Sequence, residues 1–261
     1  IGGKGDNTMN GGKGDDRITL GSGADVIDGG VGKDILFLTA DKAWTFGESV
    51  SLAIGDGQNN GHGGIFTVSG MEYVSGSKRG DNITGDGGAN VLAGGEGNDN
   101  LDGADGNDLI YGDGVFNAKG KITAEVGHEV AGVRSFGLTN GGLGDDTIVG
   151  GYGADSLTGG DGHDTFVFLN DSSKPGMSAF VTDLTDDDTV DLHLIDADLT
   201  KAGDQKFRLV DHFTGHAGEA TLMVFEGEST GLMIVHDGDG HEDISITLGG
   251  GDHSSFHNFV L

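Results

Sequence analysis

Cysteine is absent from the 261-residue chain, and proline occurs once. The lack of cysteine excludes disulfide bonds and thiolate metal sites. No apolar run approaches the roughly 20 residues that a membrane-spanning helix needs, so no transmembrane segment is predicted. Basic residues are also scarce, since 14 Lys and Arg stand against 43 Asp and Glu for a formal net charge of -29. This balance argues against nucleic acid and anionic membranes as partners, because phosphate binding needs clustered basic side chains.

Glycine and aspartate are what the chain has in abundance. Its 54 glycines make up about one residue in five, compared with roughly 7% in an average protein. The three-residue glycine period of collagen is not present. An acidic, glycine-rich chain is often disordered unless bound cations neutralise its carboxylates. Because Asp dominates over Glu and stands at fixed positions beside Gly, the composition favours loops that bind cations through oxygen ligands.

A nine-residue repeat organises three blocks of the sequence. Eleven full units cover residues 2–37, 76–111 and 141–167, and a partial unit, GDGVFN, follows the second block. Position 6 is Asp in nine units, and it is Asn7 and Asn90 in the other two. Position 8 always carries a large apolar residue, from Met9 to Phe166. A flexible linker has no reason to keep such an apolar column, so the repeats predict folded structure.

The residue types of one unit predict a short strand and a tight turn. Three residues around position 8 suffice for a strand of about 10 Å, and Gly at positions 1, 2 and 4 allows the positive φ angles of a turn. Two units complete one coil, so residues two units apart are expected to stack, with the position-8 side chains forming a thin core between two parallel sheets. The stacked pairs predicted in this way are Asp16 with Asp34, Asp81 with Asp99, Asn90 with Asp108, and Asp146 with Asp164.

Stacking of this kind predicts calcium. Neighbouring strands lie about 4.8 Å apart, which aligns successive position-6 carboxylates with bare glycine carbonyls in one ladder. Without a counter-ion the ladder repels itself, whereas Ca²⁺ accepts about six to eight oxygen ligands. We therefore expect multiple Ca²⁺ ions, with Asn7 and Asn90 as weaker ligands than carboxylates.

These nonapeptides resemble the GGxGxDxUx repeats of RTX proteins, which are known as calcium-binding β-helix repeats. The resemblance implies a parallel β-roll, export by a type I secretion system, and ions held by position-6 side chains and loop carbonyls. The residues assigned as ligands are Gly12, Gly14, Asp16, Asp25, Gly30, Gly32, Asp34, Asp81, Asn90, Gly95, Gly97, Asp99, Gly106, Asp108, Gly142, Gly144, Asp146, Gly151, Gly153, Asp155, Gly160, Gly162 and Asp164.

Two segments interrupt the repeats. Segment 38–75 contains alternating stretches such as GIFTVSGMEYVSGS, which are typical of strands, and its end resembles the lead-in of RTX blocks. We expect it to add rungs without metal. Segment 118–140 is read as an insertion. Its HEVAG lacks the second His of a zinc-protease helix, so His128 is interpreted as an ordinary loop or strand residue.

From residue 168 onward, longer alternating stretches such as ATLMVFEG and DISITL replace the nine-residue period. They predict an antiparallel, sandwich-like β cap that closes the open apolar end of a solenoid. DTFVF, VTDLTDDDTVDLHLIDA and HDGDGHEDISITL resemble the C-terminal domain shared by serralysin-type metalloproteases and repeat modules of secreted alginate epimerases. That resemblance implies a C-terminal export signal, although Asn258 stands where the family usually has an acidic residue.

One acidic loop lies within this region. The sequence DGDGHED places Asp237, Asp239 and Asp243 on a glycine-relaxed loop, which either holds one further Ca²⁺ or forms a solvated acidic turn. It does not fit an EF-hand, because Leu248 stands where the bidentate Glu belongs.

Signatures of catalysis are missing from the sequence. It contains neither a zinc-protease helix motif, nor a GxSxG elbow, nor a Cys nucleophile. The chain is therefore predicted to be all-β, with β-roll blocks at 1–37, 76–117 and 141–167, a connecting segment at 38–75, an insertion at 118–140 and a β cap with secretion signal at 168–261.

The function predicted is that of a non-catalytic calcium-binding RTX module of a larger, type I-secreted bacterial protein, which folds on Ca²⁺ outside the cell. Any catalytic domain is expected upstream of Ile1. One alternative is a carbohydrate-binding module for an alginate-like polysaccharide in a secreted polysaccharide-modifying enzyme. Another is a calcium-dependent segment of an adhesin or surface layer.

Overall fold

A computed structural model describes residues 1–38, 47–53, 58–59, 65–117, 120–123, 137–151, 154–169, 177–195, 197, 205–212, 214, 216–224, 231–236, 244–251 and 256–261. In these ranges the regular structure is entirely β, in agreement with the predicted fold class. The described residues contain no helix long and apolar enough to cross a membrane.

The strands fall into short rungs and a few longer segments. Those of the first half are β1 (Thr8–Lys13), β2 (Arg17–Thr19), β3 (Val26–Val31), β4 (Ile35–Phe37), β5 (Ser49–Ser51), β6 (Gln58–Asn59), β7 (Ile65–Ser69), β8 (Tyr73–Ser75), β9 (Asn82–Thr84), β10 (Val91–Ala93), β11 (Asn100–Asp102) and β12 (Leu109–Tyr111). Those of the second half are β13 (Val115–Phe116), β14 (Ile122–Thr123), β15 (Leu138–Leu143), β16 (Thr147–Val149), β17 (Ser156–Asp161), β18 (Thr165–Val167), β19 (Met177–Val181), β20 (Thr189–Asp191), β21 (Arg208–Leu209), β22 (Glu219–Val224), β23 (Gly231–His236), β24 (Ile244–Leu248) and β25 (Phe259–Val260).

Most repeat units place a three-residue rung around position 8, while β1, β3 and β17 are six residues long. In β11, Leu101 is buried while its neighbours are more exposed, as the alternation of side chains along a strand requires. Rungs one coil apart pair in parallel, for example Ile18 with Leu36 and Ile83 with Leu101. The predicted parallel β-roll is thereby confirmed.

The roll has two long faces. One is a nine-stranded sheet with the order β2-β4-β8-β10-β12-β16-β18-β20-β25. The other begins with β1-β3-β7-β6 and continues in a ten-stranded sheet, whose order is β5-β9-β11-β15-β17-β19-β24-β23-β22-β21. Position-8 side chains of both faces, such as Ile27 and Leu36, lie in the same buried cluster. The predicted thin core is therefore present.

The roll continues through both interruptions of the repeat. β4 pairs with β8 and β12 with β16, so that Leu36 lies beside Val74 and Ile110 beside Ile148. Segment 38–75 does contribute rungs, namely β5, β7 and β8. The division of the chain into six segments stays a prediction.

The partial repeat after β12 forms a hairpin that covers part of the nine-stranded sheet. β13 and β14 pair antiparallel, and the ring of Phe116 stacks on Tyr73 with centroids 5.5 Å apart. Together with Ile35 and Ala93, these rings form a small cluster of their own. The nine-residue pattern does not predict this contact, because it joins the partial repeat to a distant rung, β8.

The C-terminal region contains the predicted antiparallel strands, since β22 pairs with β23 and β23 with β24. β24 pairs in parallel with β19, and the cap therefore extends the sheet of the roll. The last strand, β25, pairs with β20 on the opposite face. Phe256 and Leu184 join Leu157 and Phe166 in one buried cluster, which closes the apolar interior.

Candidate metal centres

Position-6 residues form two columns, one before each face of the roll. Column A precedes the nine-stranded sheet, and column B precedes the other face. The strand register places Asp16, Asp34, Glu72, Asn90, Asp108, Asp146, Asp164 and Asp188 in column A. It places Asn7, Asp25, Glu48, Asp81, Asp99, Gly137 and Asp155 in column B. Glu48 and Glu72 come from segment 38–75, which sequence reasoning did not connect to the columns.

One hydrogen bond recurs along both columns. The main-chain N–H of a position-6 residue donates to one side-chain oxygen, usually Oδ1, of the residue one coil further on. The distances are 2.7 Å from Asp16 to Asp34, 2.8 Å from Asp81 to Asp99, 2.7 Å from Asn90 to Asp108 and 2.9 Å from Asp146 to Asp164. The four stacked pairs are thus brought together as predicted. The same bond joins Asp108 to Asp146 across the insertion, at 2.7 Å.

The second carboxylate oxygen of most repeat aspartates is buried without a hydrogen-bond donor. This holds for Oδ2 of Asp16, Asp25, Asp34, Asp99, Asp108, Asp146 and Asp164. A buried carboxylate that lacks a partner is strongly destabilising when ionised. These oxygens therefore require either a proton or a cation.

Position-1 glycine provides the space beside this oxygen. A Cβ at Gly94 would stand under 3.0 Å from both Asp99 Oδ2 and the carbonyl oxygen of Gly112. The equivalent Cβ at Gly103 would meet Asp108 Oδ2 and the carbonyl oxygen of Gly141 in the same way. Two oxygens from successive coils thus converge on one bare Cα.

The turn glycines divide into two kinds. The predicted positive φ is confirmed at most glycines of positions 2 and 4, for example at Gly95 (φ 102) and Gly97 (φ 129). For position 1 the prediction is wrong, since Gly94 is not among the residues with positive φ. There, glycine is needed because the carboxylate occupies the place of a side chain. Composition alone does not distinguish these two reasons for glycine.

Burial raises the pKa of five repeat carboxylates. It raises the pKa of Asp99 to about 8 and that of Asp108 to about 7. The pKa values of Asp146, Asp155 and Asp164 rise to about 6 for the same reason. The N–H donors of the preceding coil oppose these shifts without cancelling them. These five carboxylates are therefore unfavourable in their ionised form at neutral pH unless positive charge is supplied.

The remaining predicted ligands are the turn carbonyls. Positive φ is found at Gly12, Gly14, Gly30, Gly32, Gly95, Gly97, Gly106, Gly142, Gly144, Gly151, Gly160 and Gly162. Gly153, Asp237, Asp239 and Asp243 lie outside the described residues. Across the described ranges, no three His, Asp or Glu side chains come together as a metal site. A cation here needs main-chain carbonyls as well, and the ligand list stays a prediction.

Calcium fits this donor set. The converging groups are carboxylate and carbonyl oxygens, which are the ligands that Ca²⁺ prefers. The position-1 glycines leave room between them. The position-6 aspartates and the glycine carbonyls of adjacent turns are the residues that would hold the ion.

Two aspartates after the last repeat, Asp183 and Asp188, have both carboxylate oxygens hydrogen-bonded. Asp183 accepts the N–H groups of Gly159 and Gly160, each at 2.9 Å. Asp188 Oδ1 accepts the N–H of Asp164 at 2.9 Å, as in the repeats. Its Oδ2, however, accepts the N–H of Thr185 at 2.7 Å and the Thr185 hydroxyl at 3.0 Å. At Asp188, column A therefore contains a carboxylate whose two oxygens both accept hydrogen bonds from the protein.

Comparisons with known proteins match both parts of the chain. A family model described as RTX calcium-binding nonapeptide repeat (4 copies) matches residues 1–36. A second, described as peptidase M10 serralysin C terminal, matches residues 72–261. The matched regions are repeats and a C-terminal domain, and neither is a protease catalytic domain. A search of curated protein sequences found no match.

A solved structure is also similar to the chain. It is the solution structure of the AlgE6R3 subunit from the mannuronan C5-epimerase of Azotobacter vinelandii, with 19% sequence identity. The alignment covers 70% of this chain and 78% of that one, with a TM-score of 0.34. A likeness of this degree carries no functional argument.

Proposed function

Because the chain belongs to the serralysin C-terminal family and carries RTX calcium-binding repeats, we propose that it is a module of a secreted protein which folds on Ca²⁺ outside the cell. RTX repeats bind Ca²⁺ in multiple copies. The observation that carries the proposal is the set of seven buried aspartate oxygens without a hydrogen-bond donor. Such a set is unfavourable in a metal-free fold and becomes favourable when cations bind.

The electrostatic cost makes folding conditional on the ion. One pKa unit corresponds to about 1.4 kcal/mol, so burying Asp99 alone costs the metal-free fold about 4 kcal/mol at pH 7. Whole domains are stable by only about 5–15 kcal/mol. A ligand that binds only the folded state offsets such a cost by mass action. Free Ca²⁺ is scarce in the cytosol, so the chain stays unfolded there and folds once exported.

Folding that depends on Ca²⁺ is also consistent with export of the unfolded chain from the cell. We propose export through the type I secretion machinery of a bacterium, with an extracellular location for the folded protein. Both matched families are typical of secreted proteins. Any catalytic activity would reside in another domain of the same polypeptide, because the described site is built to hold cations by oxygen ligands.

Circular dichroism with a calcium titration tests this proposal. At pH 7.5, the chain is expected to show little β signal in chelator and a full β signal in millimolar Ca²⁺. Mg²⁺ at the same concentration serves as the control, because its strict octahedral geometry suits these turns poorly. A chain that is equally β-structured in chelator and in Ca²⁺ would refute the proposal.

Carbohydrate binding is a second candidate, favoured by the outer face of the ten-stranded sheet. Position 9 forms a polar row there, with a 3.0 Å hydrogen bond from Asn140 to Asp102 and a 2.7 Å bond between Thr158 and Thr182. The exposed side chain of Leu138 lies on the same outer face. Rows of hydroxyl, amide and apolar groups suit a polysaccharide chain. Calorimetry with alginate and a neutral glucan tests this, and an absence of heat with both removes the candidate.

A further inference from the structure

One carboxylate of column A comes from outside the repeats. The match to the calcium-binding repeats ends at residue 36. β8 nevertheless pairs in register with β4, so that Tyr73 lies beside Ile35 and Glu72 follows Asp34 in the column. The main-chain N–H of Asp34 donates to Glu72 Oε2 at 2.9 Å, which is the bond that aspartate makes in the repeats. Segment 38–75 thus supplies a position-6 carboxylate of its own.

The oxygen of Asp34 that faces this rung lacks a donor. Asp34 is fully buried, with 0% exposure. Its Oδ1 accepts the N–H of Asp16 at 2.7 Å, on the side of the preceding coil. Its Oδ2 is buried without a hydrogen-bond partner. One half of the carboxylate is therefore used to stack the repeats, and the other half is left for a ligand.

A carbonyl from the same segment converges on that oxygen. A Cβ at Gly29 would stand under 3.0 Å from both Asp34 Oδ2 and the carbonyl oxygen of Gly70. This repeats the arrangement at Gly94 and Gly103, with Gly70 in the role of a position-1 glycine. Counted between paired residues, the path from Ser69 to Tyr73 is shorter than the path from Asp28 to Ile35. The longer side chain of Glu compensates for the shorter turn in reaching the column.

Among the described residues, neither Asp34 nor Glu72 forms an ion pair with a basic side chain. The Nζ of Lys33 lies 6.0 Å from the ring centroid of Tyr73. Asp28 adds further negative charge, since its Oδ1 would stand 3.2 Å from a Cβ at Gly70. The surroundings of Asp34 Oδ2 are therefore acidic and rich in oxygen.

We propose that Asp34, Glu72 and the carbonyl oxygen of Gly70 form a further Ca²⁺ site, which joins the first repeat block to segment 38–75. The inference rests on the proposed function, because it needs a chain that folds around Ca²⁺. It replaces the expectation that this segment adds only rungs without metal. The flexible coordination of Ca²⁺ tolerates a Glu and a short turn, with water completing the shell.

Native mass spectrometry of the full chain in excess Ca²⁺ tests the site by counting ions. Glu72→Gln is the main variant, because its amide oxygen still accepts the N–H of Asp34 while the charge is lost. One ion fewer than in the wild type is expected. Glu96→Gln is the control, because Glu96 pairs with the exposed Lys78 and its loss should leave the count unchanged.

Glu72→Asp provides a second measure that keeps the charge and shortens the side chain. Calorimetry is expected to show that one Ca²⁺ ion binds more weakly to this variant, while the affinities of the other sites stay unchanged. Wild-type ion count and affinity in both Glu72 variants would overturn the site. A wild-type chain that binds no Ca²⁺ would instead overturn the proposed function, so the two failures are distinguishable.

Discussion

The repeats and the C-terminal cap treat buried carboxylates in opposite ways. In the repeats, Asp99, Asp146 and Asp164 use one oxygen to stack coils and leave Oδ2 without a donor. In the cap, Thr185 donates twice to the corresponding oxygen of Asp188. Glu219 likewise accepts hydrogen bonds from Thr214 and Arg208, and the Thr214 bonds hold its pKa down to about 2. The cap thus supplies from its own side chains what the repeats must obtain from solution.

This difference separates two sources of stability within one continuous sheet. β19 links the repeats to the cap without a break in hydrogen bonding. Buried apolar residues from both parts, such as Leu157 and Leu248, share one cluster. The buried side chains of β9–β12 lie in a separate cluster. At the junction with the cap, where the apolar cluster is shared, the hydrogen bonding of the carboxylates is what differs between the two regions.

Chelation should give the largest effect and the most direct test of the contrast. In chelator at pH 7.5, amide hydrogen exchange is expected to accelerate most in β9–β12, where carboxylates such as Asp99 would be left unneutralised. β22 and β24 should retain more protection, because Glu219 and its neighbours are paired within the cap. Mass spectrometry of deuterated peptides measures this difference. Equal loss of protection in both regions would contradict the contrast.

Acidification should have the second largest effect. Without Ca²⁺ it should stabilise the repeats, whereas it should destabilise the cap. An unfolded Asp has a pKa of about 3.9, and the folded values of Asp99 and Asp108 rise to about 8 and about 7. A raised folded pKa gives stability that is fully present below about pH 4 and is lost as the pH rises through 6 to 8. In Ca²⁺-free buffer, the β signal is therefore expected to be larger at pH 5 than at pH 8.

The cap provides the internal control for the pH experiment. The pKa of Glu219 is lowered to about 2, so its contribution is present above about pH 4.3 and is lost as the pH falls toward 2. Exchange in β22 should therefore increase only in strong acid. A Ca²⁺-free β signal that does not change between pH 5 and 8 would show that the repeat carboxylates are not the cause.

Neutralising one repeat aspartate should have opposite effects on stability in the presence and in the absence of Ca²⁺. With Ca²⁺, Asp99→Asn removes a proposed ligand and is expected to lower the free energy of unfolding by about 3 kcal/mol, which urea denaturation measures. Without Ca²⁺, the same change removes the carboxylate whose pKa burial raises most, to about 8. The midpoint of acid-induced folding should then shift to higher pH.

The matched variant in the cap is Asp188→Asn, which should change stability in the same direction with and without Ca²⁺. It weakens the bonds from Thr185 and is expected to cost about 1–2 kcal/mol in either condition. Destabilisation by Asp99→Asn in Ca²⁺-free buffer as well as in Ca²⁺ would mean that the buried charge does not limit folding.

The periodic part of this fold is predictable from sequence, because position 6 and position 8 recur within one coil. The stacking of Asp81 and Asp99 follows from that local period. The bond between Asp108 and Asp146 does not, because an insertion of a different length separates them. Glu72 also escaped prediction, since only the register of β8 on β4 places it in column A. Sequence periodicity therefore predicts the repeats, whereas the joints between blocks depend on three-dimensional pairing.

Substitution of the position-1 glycine beside Asp99 should give the smallest of these effects. Gly94→Ala places a Cβ under 3.0 Å from both Asp99 Oδ2 and the Gly112 carbonyl oxygen. Because the backbone of the next coil limits relaxation, a loss of about 1–3 kcal/mol is expected in Ca²⁺, together with weaker Ca²⁺ binding. Gly87→Ala is the matched control in the same repeat block, since a Cβ there meets no atom within 4 Å. Equal calcium affinity in the two variants would show that the space at position 1 serves chain packing alone.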